Sequence, residues 1–258
     1  NREGMFDYYK RKFEQESDHL SRLRHKNIVM VVDAFRANST SYYVMQYIDG
    51  QSLDSLIAAK GRLSTDETVG IIRQVGSALG CMHSKGMLHL DVKPANVMMA
   101  DEKTAILIDF GLSKQYDQNG QPESSTTVGS GTPGYAPIEQ ANHREGKDFP
   151  VQMDVYALGA TMLKMLTGQR PPEASDILNF GFPKKDLKQK HVPQPIIGVV
   201  EKAMKPQRNL RFQTMEQMMT ALDEAMDKVK ENEEKQKRRA ESEATTVDSG
   251  SNKGKSNG

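Results

Sequence analysis

The chain has 258 residues, and its 35 lysines and arginines almost cancel its 34 aspartates and glutamates. That length can bury a sizeable core as one large domain or two small ones, while the charge balance excludes a global basic field directed at nucleic acid or an anionic membrane. A single cysteine, Cys81, excludes an internal disulfide and fits a reducing compartment, and no run of about 18 apolar residues marks a membrane span.

The chain opens on Asn1 rather than Met, as an excerpt from a longer chain would. Phe13, Glu16, Leu20 and Leu23 recur at three- and four-residue steps, which puts the Glu16 carboxylate on the apolar face of a helix. Two β-rich runs follow, 27 to 35 and 40 to 48, around a polar turn at 36 to 39, and read as an antiparallel hairpin that ends at Asp49-Gly50. Ser64 and Glu67 form a capping box opening a helix that carries Ile72, Val75, Leu79 and Met82 on one stripe and ends near Gly86. Residues 97 to 111 read as two short strands about the Asp101-Glu102-Lys103 turn, the second ending on Asp109. Residues 112 to 150 show no sustained period, as in a long functional loop. Helical pattern resumes at Val151, and Thr214 with Gln217 caps a further helix lined by Met215, Met218, Leu222 and Met226. From 229 onward mixed charge and then Ser, Gly and Asn predict a frayed helix and a disordered linker.

Four elements in order carry the chemistry. His89, Asp91, Lys93, Pro94 and Asn96 match H-x-D-x-K-P-x-x-N. Asp109-Phe110-Gly111 follows 18 residues after Asp91, at the end of an expected strand. SGTPGYAPIEQ (130 to 140) and MDVYALG (153 to 159) complete the series. Over residues 5 to 228 the chain resembles a bacterial branch of the eukaryotic-like serine/threonine protein kinases. The resemblance implies an α+β, protein kinase-like bilobal fold. Its upper lobe would be incomplete, one helix and two strands in residues 1–48. A complete, mainly helical lower lobe would occupy 49–228, and the linker 229–258. The glycine-rich loop and phosphate-anchoring lysine of such kinases would lie upstream of Asn1, so the piece in hand is expected to be inactive alone.

The site residues follow from the same resemblance. Transfer of a phosphoryl group from ATP needs an aligned hydroxyl, bridging metal and stabilised charge more than covalent help. Asp91 would orient the substrate hydroxyl, and Lys93 would contact the transferring phosphate. Asn96 and Asp109 would hold Mg2+, and Glu16 would pair with the upstream lysine. Met45, Gln46, Ile48 and Met98 would line the adenine site. Lys93 and Thr132 would mark serine/threonine specificity. His89, Phe110 and Leu20 would form a spine anchored by Asp154, and Glu139 would be buried against Arg211. Protein serine or threonine hydroxyls are the implied substrate. The location implied is cytoplasmic, with room for a membrane anchor or sensor domain beyond the linker and no role for nucleic acid.

Leu90 stands where regulated kinases carry an arginine that receives an activation-loop phosphate. Phosphorylation of Ser124, Ser125, Thr126 or Thr127 is therefore not expected to be needed to organise the loop around Asp91. Ala136-Pro137-Ile138-Glu139 is offset by one from the usual A-P-E, and Tyr156 replaces a common tryptophan. A nucleotide-binding pseudokinase and a small-molecule kinase are the rival readings. The first is opposed by intact Asp91, Asn96 and Asp109, the second by the ordered segment from Asp109 to Glu139.

Overall fold

The computed structural model describes residues 20–37, 40–109, 114–115, 131–141 and 150–250. Glu16, Phe110, Gly111 and the four candidate phosphorylation sites lie outside these ranges. The hairpin forms as β1 (Val31–Ala37) and β2 (Thr40–Met45), antiparallel from Val31↔Met45 to Ala37↔Thr40. It begins later than the apolar run because the Val29 amide and the Asn27 carbonyl, on either side of Ile28, bond to Leu107 instead, which ties the hairpin to the larger body. Phe35 and Tyr42, cross-strand partners, stack with ring centroids 5.2 Å apart. Val32, Phe35, Tyr42, Val44 and Met45 stay exposed, so the hairpin gains little from core burial.

β3 (Gln51–Ser52) leads into α1 (Leu53–Lys60), one of whose free first-turn amides, that of Ser55, donates to the Ser52 hydroxyl. The Ser64 capping box is present in both directions, with Glu67 N to Ser64 Oγ at 3.2 Å and Ser64 N to Glu67 at 2.8 Å. It starts α2 (Thr65–Ser84), and the expected stripe Ile72, Val75, Leu79 and Met82 is buried. β4 (Met87–Leu88), β5 (Val97–Met99) and β6 (Ala105–Leu107) follow; β5 lies between β3 and β6, and β4 pairs with β7 (Lys114–Gln115).

After α3 (Ile138–Ala141) comes α4 (Gln152–Thr167), buried all round from Met153 to Leu163 and therefore the axis of the core. α5 (Ala174–Phe180) adds Ala174 and Ile177 to the core, and α6 (Lys184–Gln189) and α7 (Gln194–Ala203) pack against α4. A Cβ at Gly159 would sit 2.7 Å from that of Ala203, so glycine there permits the close approach of α7. At the centre, Tyr156 is fully buried, its hydroxyl has no hydrogen-bond partner among the described residues, and burial raises its pKa. Tyr156→Phe removes an unsatisfied buried group at almost constant volume, so it is expected to raise stability by about 1 kcal/mol in denaturant unfolding. A lower midpoint would show that the hydroxyl has a partner.

The last helix is α8 (Met215–Gly250). Met215, Met218, Leu222 and Met226 are buried as the stripe requires, and Thr214 accepts from Gln217 N at 3.1 Å. Of the frayed helix and linker expected from 229, the stretch as far as Gly250 is helical. Val229 is the last buried residue among those whose burial is described, and 230–240 are exposed, so packing does not hold residues 230–240. Glu, Lys, Arg, Gln and Ala are strong helix formers, and a Glu231–Lys235 pair one turn apart adds to them. No helix among the described residues is long and apolar enough to cross a membrane.

Candidate active site

Residues 89 to 96 form a loop between β4 and β5, and buried polar groups shape it. The Asp154 carboxylate, fully buried at the start of α4, accepts from the amides of His89 (2.9 Å) and Leu90 (2.8 Å) and from His83 Nε2 (2.8 Å). Burial alone would raise its pKa, but the hydrogen bond and charge of His83, and those of His89, hold it below the usual carboxylate range. His89 is also fully buried, and desolvation pushes its pKa down despite the nearby acids. Its Nδ1 accepts the Asp91 amide at 3.3 Å, the role of a fixed structural ring.

The sequence-derived residues converge on Asp91. Lys93 Nζ lies 2.7 Å from Asp91 Oδ2 and donates to Thr132 Oγ1 at 2.8 Å, while the Thr132 hydroxyl donates to Asp91 Oδ1 at 2.6 Å. Three side chains thus close a ring across 41 residues of sequence. Asn96, buried in the short 3-10 turn Pro94–Asn96, donates from Nδ2 to the Asp91 carbonyl (2.8 Å) and carboxylate (3.0 Å). Its own backbone carbonyl takes the amide of Ile108 at 2.9 Å, which sets Asp109 immediately beyond. Asp109 is exposed and adopts φ +65°, a left-handed conformation uncommon for aspartate.

A family model described as "Protein kinase domain" matches residues 2–242. The chain belongs to the protein kinase family. A probable serine/threonine-protein kinase PknB of Lactococcus lactis is 32% identical over 216 residues, covering 81% of this chain and 34% of the relative. The serine/threonine-protein kinase PknB of Mycobacterium tuberculosis is 27% identical over 224 residues, covering 82% and 35%. The chain therefore spans about a third of the length of these curated relatives. A crystal structure of Rad53 1-466 in complex with AMP-PNP superposes with a TM-score of 0.68 at 22% identity, over 80% of this chain and 53% of that one. The kinase fold is common to both.

Within this kinase chain the remaining expected residues are more dispersed. Met45 ends β2 and is exposed, and the Gln46 amide donates to the Met30 carbonyl at 2.9 Å. Ile48 packs against the core, and Met98 is half-buried in β5 opposite Ser52 and Ile106. Glu139 and Arg211 form the expected bidentate pair (2.5 and 3.1 Å), but only the arginine is buried; Glu139 keeps 27% of its side chain exposed. Glu139 thus meets the buried Arg211 guanidinium from a partly solvated position. The guanidinium also donates to the carbonyls of Lys205, Pro206 and Gln152. Arg211→Leu, which orphans all of these, is expected to cost about 3 kcal/mol, and Glu139→Gln about 1 kcal/mol because the carbonyl partners remain. Urea unfolding of both variants checks this; equal losses would mean that the carbonyl contacts contribute nothing.

Sequence reasoning missed His83 and Gln140. Gln140 is buried and donates to the Leu90 carbonyl at 2.8 Å, and neither residue stands in a periodic pattern that could have marked it.

Proposed function

We propose that the chain is the catalytic part of a serine/threonine protein kinase that transfers the γ-phosphoryl group of ATP to protein hydroxyls. The observation that carries this reading is the closed ring of Asp91, Lys93 and Thr132. It leaves one carboxylate, held from three sides, facing the place of an incoming hydroxyl, with a cation beside it for the phosphate. Asp91 orients that hydroxyl and accepts its proton, and Lys93 stabilises charge on the transferring group. Thr132, on the segment that docks the substrate, couples peptide placement to Asp91. Serine/threonine specificity rests on this Lys93–Thr132 pairing.

Magnesium and ATP fit the donor set. Both Asn96 amide bonds go to Asp91, so the group left for a ligand is an oxygen, and the exposed Asp109 carboxylate supplies a second. A hard cation that keeps several waters takes this kind of sparse oxygen set together with phosphate oxygens. Bound there, it would neutralise phosphate charge during transfer. Met45, Gln46, Ile48 and Met98 are the proposed adenine wall. Glu16 is the proposed partner of a phosphate-anchoring lysine which, with a glycine-rich loop ahead of it, belongs to the active enzyme. The bounds proposed are 1–48 for the upper lobe and 49–228 for the lower, in a cytoplasmic setting.

The test is incubation of the full-length protein with γ-labelled ATP, magnesium and a protein acceptor. Label is expected in phosphoserine and phosphothreonine and absent with Asp109→Asn. Nucleotide binding without any transfer would establish the pseudokinase reading instead.

A further inference from the structure

We propose that Gln140 is a positioning residue for the catalytic aspartate: its buried amide holds the Leu90 carbonyl and so fixes the peptide plane from which Asp91 projects. This rests on the kinase reading for its effect on turnover, though not for the geometry.

Leu90 has φ +65°, a left-handed conformation that costs a side-chain-bearing residue on the order of 1–2 kcal/mol. Such a residue persists only where its surroundings over-determine it. The surroundings here are a buried side chain packed with Leu88 and Met153, an amide donating to Asp154 at 2.8 Å, and a carbonyl accepting from Gln140 Nε2 at 2.8 Å. The Leu90 carbonyl and the Asp91 amide belong to one rigid peptide unit. Gln140 holds its oxygen and His89 Nδ1 accepts its hydrogen, so the plane cannot turn about the chain without breaking one of these bonds.

The amide has room because residue 131 is glycine. A Cβ at Gly131, itself at φ +69°, would lie 2.7 Å from Gln140 Nε2 and 2.6 Å from Ala136 Cβ. Gln140 is 1% exposed and sits beside Glu139, which Arg211 clamps to the body of the domain. The segment 131–141 therefore grips Asp91 twice, by its side chain through Thr132 and by its backbone through Gln140. Leu90 carries no charge with which to receive an anion, so this neutral bond is the tie between the two segments at that point. It offers the loop a tie that does not depend on a phosphate.

The test uses the full-length protein. Gln140→Met keeps length and approximate volume but removes the donor. It is expected to leave KM for ATP unchanged, to lower kcat between about tenfold and a hundredfold, and to speed hydrogen exchange at the Leu90 and Asp91 amides. Gln140→Glu supplies a conditional donor: a buried carboxyl has a raised pKa, and while protonated it can donate to the same carbonyl. Its kcat relative to the parent should be near unity at low pH and fall as the carboxyl ionises, a profile that simple loss of packing does not produce. Unchanged kcat in Gln140→Met, or a flat relative pH profile in Gln140→Glu, would overturn the proposal. If the parent transfers no phosphate, the kinase reading fails separately, and exchange at Leu90 and Asp91 still decides whether Gln140 holds the plane.

Discussion

Asp91→Asn is expected to lower kcat by about 10² to 10⁴-fold, the range over which a positioned general base acts. Asparagine preserves the shape but loses the negative charge and one acceptor. The carboxylate now receives Lys93 and Asn96 on Oδ2 and the Thr132 hydroxyl on Oδ1. With an amide in its place one of these donors faces an NH2, and the ring opens, most simply by rotation of the Thr132 hydroxyl. Since the side chains are only part-buried, water can meet the displaced groups, so the unfolding midpoint should move little. Single-turnover transfer of labelled phosphate measures the effect directly. Retention of rate within about threefold of the parent would remove Asp91 from the chemistry.

Asp154→Asn is expected to act on stability, by about 3 kcal/mol or more. The native carboxylate satisfies three donors in a dry site, two backbone amides and the His83 ring. One amide oxygen cannot serve both sides, and its NH2 would point at an N–H group with no water to intervene. The Leu90 backbone, freed on its amide side, should relax out of its left-handed conformation, so activity falls with stability. The effect has a pH signature. Asp154 has a folded pKa below that of an unfolded aspartate, about 3.9. Its contribution is therefore complete above that value and lost as pH falls through the folded pKa. The gap between parent and variant should narrow below about pH 4. His89, pushed down by burial, has the same sign in a higher window: its contribution is full above about pH 6.5 and wanes below. Urea midpoints from pH 3 to 7 separate the two, and a gap constant to pH 3 would contradict the depressed carboxyl.

The core of the site was legible because most of it is local. Asp91, Lys93 and Asn96 lie within six residues, where loop geometry alone brings them close, and the tertiary contact with Thr132 was reachable through the kinase resemblance. Gln140 and His83 were not legible: each acts through one hydrogen bond to a distant group, and such a bond leaves no periodicity. In the fold, the long elements could be read. The Ser64 capping box, the stripe of α2 and the methionine face of α8 are repeated or paired signals. The strands β3, β4 and β7 are two residues each, too short for alternation to register, and α5 and α6 are helices of seven and six residues, too short for a clear period. The composition beyond 229 marked a frayed helix but not its end, because a charged composition that cannot build a core can still favour a helix.

That extension gives the molecule two kinds of thermal behaviour. From Lys230 to Ala240 the side chains are exposed, so these turns rest on main-chain bonds and neighbouring charges, and helices of this kind shorten residue by residue on warming. Circular dichroism should therefore show a shallow, salt-sensitive slope ahead of the sharp transition of the domain, and trimming the chain after Lys230 should flatten the slope while leaving the transition in place.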